Sequence, residues 1–132
     1  MISNPAENLL VYEQYNVPLD SYYEEEIKIT IDNLTIEGLS PDDLLKRKLE
    51  FEREAIPYIK LLFHYALKIS ENPDDAYDLL HDTYVLAFRF FDKFEEGTNC
   101  RIMLGRIMRN CYINNYRKIL LNTRQKMTLY ES

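Results

Sequence analysis

Apolar positions recur every three to four residues through most of the chain after residue 40, the spacing of helices that bury one side. Ile59, Leu62, Phe63, Ala66, Leu67 and Ile69 make one such face, and it predicts a helix ending near Ser70. Ala76, Leu80, Tyr84, Ala87 and Phe91 make a second inner stripe, with Asp75, Asp78, Asp82 and Arg89 on the opposite, outer one. From residue 100 onward the pattern divides more sharply. At about 100° per residue, Cys100, Met103, Leu104, Ile107, Met108 and Cys111 fall in one arc, while Arg106, Arg109 and Arg117 lie on the other side with Asn110 at their edge.

Punctuation along the chain sets the helix ends. Ser40-Pro41-Asp42-Asp43 offers a capping hydroxyl, a proline suited to the first helical position, and two acids at the positive end of the dipole. Asn72-Pro73-Asp74-Asp75 repeats that start signal, and Pro57 predicts a kink or break near residues 54–56. In the loop Asp92 to Asn99, Gly97 permits a sharp turn and Thr98 or Asn99 can cap the following helix.

The first forty residues lack a sustained helical period. Ile27-Lys28-Ile29-Thr30-Ile31 alternates like a short strand, but an isolated strand has no sheet to join. The expected architecture is therefore all-α: a three- to four-helix bundle over residues 41–121. An acidic, largely irregular and loosely docked extension over 1–40 precedes it, and the start of a linker over 122–132 follows. Three glycines and no tryptophan among 132 residues agree with a helical class.

Charge is unevenly spread. The net value of −6 conceals ten acids against one base over residues 1–45, and seven bases against one acid over 97–132. A local basic face suits nucleic acid even in an acidic protein. The acidic extension reads most simply as a solvated tail; a sharper reading has it cover the basic face of the last helix as an internal mimic of DNA.

Neither a membrane span nor a signal peptide is expected, and cytoplasmic residence follows from that. Cys100 and Cys111 sit about 16 Å apart along one helix, too far to bridge, and read as buried structural thiols. His64, close to the apolar face of its helix, reads as a core or boundary histidine rather than a ligand. Asp78 and His81 alone fall short of a helical metal site, so no metal and no cofactor is expected. No nucleophile with a matching base, and no phosphate loop, points to an enzyme.

The chemistry concentrates after residue 93. Asn110 and Asn114 can donate and accept toward base edges, and Tyr112 and Tyr116, one turn apart, offer stacking surfaces beside the arginines. In this setting Gly97-Thr98-Asn99, Leu104, Arg106-Ile107, Asn110, Tyr112-Ile113-Asn114 and Tyr116-Arg117-Lys118 resemble region two of bacterial RNA polymerase sigma factors, in the extracytoplasmic-function (ECF) group of the sigma-70 family. Upstream, Phe51 to Ile59, Ala66-Leu67-Lys68, Asn72 to Ala76, Asp78 to Tyr84, and Phe94 are similar to the same group, particularly its actinobacterial thiol-stress branch. The likeness covers roughly residues 50 to 118.

That resemblance implies a transcription initiation factor domain that binds polymerase core and recognises and melts the promoter minus-ten element. It implies a DNA face of Phe94, Thr98, Asn99, Arg101, Arg106, Arg109, Asn110, Asn114, Arg117 and Lys118, with a base flipped from the single-stranded nontemplate strand taken by the loop at Asn99. It also implies that Asp75, Asp78, His81, Asp82 and Arg89 dock on the clamp helices of the large catalytic subunit, and that an anti-sigma factor is a candidate further partner. Two departures stand out. Ile102-Met103-Leu104-Gly105 replaces Ala-Trp-Leu and an aromatic, and His81-Asp82 replaces a glutamine-glutamate pair. The rival reading is a sigma-like interaction module, a decoy or regulator that binds polymerase or an anti-sigma factor without engaging DNA. Ile102 and Ile113, set among the arginines, favour it.

Overall fold

The structure, a computed structural model, describes residues 22–94 and 99–131. Five α-helices follow one another: α1 Tyr22–Asn33, α2 Pro41–Ala55, α3 Ile59–Ser70, α4 Pro73–Arg89 and α5 Cys100–Glu131. No strand occurs among the described residues, in keeping with the all-α expectation. A single 3₁₀ turn, Ile56–Tyr58, joins α2 to α3, so Pro57 bends one long rod where a break was predicted. Counted as rods, the bundle has four.

The capping signals act as their chemistry dictates. Ser40 Oγ accepts from Asp43 N at 3.2 Å, and Asn72 Oδ1 accepts from Asp74 N and Asp75 N at 2.8 and 3.2 Å. Asn99 Oδ1 does the same for α5, accepting from Arg101 N at 3.0 Å and Ile102 N at 3.4 Å. The connection from α1 to α2 turns at Gly38 with φ +88°, a left-handed conformation that costs glycine little.

The core draws on every helix. Phe51 of α2, Phe63 and Leu67 of α3, Leu80, Tyr84 and Phe88 of α4, and Leu104 and Met108 of α5 are all fully buried. Tyr84 carries a polar end into this interior and satisfies it by donating to Ala55 O at 2.8 Å, at the start of the 3₁₀ turn that joins α2 to α3. The inner stripe predicted for α4 lies inside at Ala76, Leu80, Tyr84 and Ala87. Its last member, Phe91, has left the helix: α4 ends at Arg89, and Phe91 sits in a 3₁₀ turn packed edge-on against Phe51 at 5.3 Å. Arg47 reaches Asp92 at 3.7 Å and ties that turn back to α2.

Two segments differ from expectation. Residues 22–33, assigned to a loose extension with a strand-like stretch, form a helix whose Ile27 and Ile31 are 1% and 0% exposed. The alternation misleads because Ile27 and Ile31 are also four apart and share a helical face, whereas Ile29 points outward at 56% exposure. Tyr23 packs its ring 4.5 Å from Phe63 and 5.1 Å from Tyr77, so α1 belongs to the bundle. At the other end, α5 runs on through the region expected to begin a linker. Any covering of the basic face by residues 1–21 lies outside the described residues.

Candidate nucleic-acid and polymerase interface

Helix α5 presents two chemically distinct sides. Leu104, Met108 and Cys111 are buried, and Cys100, Met103 and Ile107 are half-buried beside them, as the periodicity predicts. Arg106, Arg109, Asn110, Asn114, Arg117 and Lys118 are exposed, and Arg101 is half-buried at the start of the helix. Tyr116 is 55% exposed, and Tyr112 is half-buried one turn earlier. A positively charged face with ring surfaces along it can hold phosphates and stack unpaired bases. Ile102 also lies open on this side, at 50% exposure.

The two cysteines are free. Burial, reinforced by the charge of Glu54, pushes the Cys100 thiol up to about 11. Cys111 is likewise raised by burial and by Asp82, against a lowering hydrogen bond to Thr83. Both are thiols at neutral pH and weak nucleophiles, which suits packing.

Beside α5 lies α4, and its outer ridge carries Asp75, Asp78, Asp82 and Arg89, all exposed. His81 is turned toward α1: its Nε2 lies 3.4 Å from Thr30 Oγ1, its Nδ1 lies 4.0 Å from Asp82 Oδ1, and Tyr77 flanks its ring. Two shallow grooves separate the acidic ridge from α5. One, about 330 Å³, is lined by Asp75, Asp78, Tyr112 and Tyr116 among others. The second, about 350 Å³, brings His81 and Asp82 to Asn114 and Lys118. Residues expected to meet a protein and residues expected to meet DNA thus border the same furrow.

Two expected DNA contacts have structural employment. Asn99 caps α5 through Oδ1, which leaves its amide nitrogen as the group able to donate outward. Phe94 is half-buried and packs edge-on against Phe91 at 5.5 Å, continuing the ring cluster that begins at Phe51. Thr98 lies outside the described residues. Sequence reasoning passed over Tyr65 and Lys68 of α3, which line a third cleft with Arg101 and Gly105. Their shared i, i+3 spacing on an outer helix face was visible, but the neighbouring helix was not.

Among the described residues, no helix is long and apolar enough to cross a membrane. No family model matches the chain, and no solved structure matches it. Over 64 residues it is 34% identical to the ECF RNA polymerase sigma factor EcfG of Rhodopseudomonas palustris (strain TIE-1), a stretch that is 48% of this chain. The match spans about a third of that relative's length.

Proposed function

We propose that this chain is the polymerase- and promoter-binding module of a cytoplasmic ECF-type sigma factor. In this reading the acidic ridge of α4 docks on the basic clamp helices of the large catalytic subunit, and the basic face of α5 holds the nontemplate strand of the minus-ten element. The observation that carries it is the separation of opposite charge onto two adjacent helices, with Asp78 and Asp82 exposed on one and Arg106, Arg109 and Arg117 exposed on the other. Complementary fields steer each partner to its own helix and disfavour the exchanged arrangement. The likeness to a sigma factor supplies the partner class.

The module does no covalent chemistry. Melting follows from capture: a base that leaves the stack costs a few kcal/mol, and stacking with hydrogen bonds to its exposed edge returns that energy. In our reading the amide of Asn99 touches the captured base while the arginines hold phosphates. Asn110 and Asn114 lie along the same strand. An anti-sigma factor would regulate the module by covering either helix.

The test is binding to core polymerase, followed by binding of the complex to a single-stranded minus-ten oligonucleotide. Both should be saturable, and the second should weaken steeply with salt. A second reading, an interaction module that engages polymerase or an anti-sigma factor without DNA, is favoured by the exposed Ile102 on the basic side of α5. Polymerase binding with no DNA binding would select it.

A further inference from the structure

Helix α3 runs alongside the first turns of α5, and between them lies an open cleft of about 290 Å³. Leu62 and the buried His64 close its inner wall, Tyr65 and Lys68 stand on the α3 rim, and Arg101 and Gly105 form the α5 side. Lys68 is exposed, Arg101 is half-buried, and neither is ion-paired to another described residue. The Tyr65 ring is 41% exposed. Two cations without an ion pair among the described residues and an open ring around a small cleft have the chemistry of a phosphate clamp beside a stacking platform.

Gly105 sharpens the point. In mid-helix it costs about 1 kcal/mol relative to alanine, yet a Cβ built there would meet nothing within 4 Å, so packing does not require glycine. What the missing side chain provides is the open floor of the cleft.

We propose that this cleft binds one nucleotide of a single DNA strand, with its phosphate between Lys68 and Arg101 and its base against Tyr65. The inference rests on the reading of α5 as a face for single-stranded DNA and extends it: the strand leaves α5 at its first turns and continues onto α3. The cleft volume, about 290 Å³, lies just below the roughly 300–1,000 Å³ of ligand pockets, a size suited to a single nucleotide unit. Lys68, in this account, is a second-helix phosphate contact, and Tyr65 stacks without reading base identity.

The experiment uses the full chain bound to core polymerase and a nontemplate strand carrying a photoreactive thiothymidine at successive positions, with anisotropy as the affinity readout. The expected result is a crosslink to Tyr65 from one strand position, distinct from the positions that crosslink to α5. Gly105→Phe fills the cleft while removing the helix-weakening glycine, so it should melt no lower than wild type, lose the α3 crosslink and bind about tenfold more weakly. Tyr65→Ala should give the same loss of about tenfold, the scale expected when one stacked base is released. Gly105→Ala, which adds only a methyl group, should bind as wild type does. Crosslinks to α5 without any to α3, or unchanged affinity in both Gly105→Phe and Tyr65→Ala, would overturn the inference while leaving the α5 reading intact. Crosslinks to neither helix would overturn both.

Discussion

Glu52 on α2 and Asp32 on α1 face each other as a carboxyl pair that spans the joint between the N-terminal helix and the rest of the bundle. Burial, then a hydrogen bond to Asp32 and its charge, raise the Glu52 carboxyl from the ordinary 4.5 to about 7, against the opposing pull of Lys28 and Lys48. Lys48 also donates to Asp32 O at 2.6 Å, which holds the two helices together at this point. A carboxyl whose folded value lies above its unfolded one stabilises the fold fully below the unfolded value and loses that contribution as pH rises through the folded one. Stability should therefore fall between about pH 5 and 8. Glu52→Gln should flatten that fall and gain roughly 1 kcal/mol at pH 8, a figure discounted for solvent near the pair. Thermal melts of both proteins across this range check it.

The docking of α1 predicts a contrast between neighbours. Ile31→Ala should cost roughly 2–5 kcal/mol, because Ile31 is fully buried and its loss leaves a cavity. Ile29→Ala, at an outward position, should lie within about 0.5 kcal/mol of wild type. Urea titration at fixed pH measures both, and equal small effects would mean that α1 is dispensable to the fold.

Tyr84→Phe isolates a single buried hydrogen bond. The ring stays in place but its bond to Ala55 O is lost, and a loss of about 1 kcal/mol is expected. Near-wild-type stability by calorimetry would show that the bend does not depend on that bond.

These tests also mark what could be read before folding. Helices α2 to α5 were legible because their apolar faces and capping residues are encoded within single segments, as at Ser40, Asn72 and Leu104. Helix α1 was not, because three isoleucines at alternate positions fit a strand as well as a helix. The second is selected by packing against other helices, which buries Ile27 and Ile31 and sets Tyr23 against Phe63 and Tyr77. The basic face of α5 was visible for the same local reason. The cleft at Gly105 was hidden because Tyr65 and Lys68 gain their meaning from Arg101, more than thirty residues on, once α3 lies beside α5. Phe94 could be placed near the site by its position in the chain, but its packing on Phe91 depends on α4 ending at Arg89.

For the polymerase interface, exchanging Asp78 and Asp82 for lysines should weaken capture by core polymerase at least about tenfold, as reversed charges meet a basic partner. Both are exposed on α4, so helicity by circular dichroism should not change. Wild-type capture by the double variant would remove this ridge from the interface.

The most direct test of the central claim, that α5 and its cap read a single-stranded promoter element, is an anisotropy series with core polymerase and a panel of minus-ten variants at several salt concentrations. Alanine at Arg106, Arg109 or Arg117 should weaken all sequences alike and flatten the plot of log affinity against log salt by about 0.7 per lost phosphate contact. Asn99→Ser keeps an oxygen to cap α5 and removes the amide. It should preserve the salt slope and lose roughly 1–3 kcal/mol of discrimination at one position of the panel. An Asn99→Ser complex that discriminates as wild type does would reduce that residue to a cap, and a wild-type complex that binds none of the strands would contradict the account.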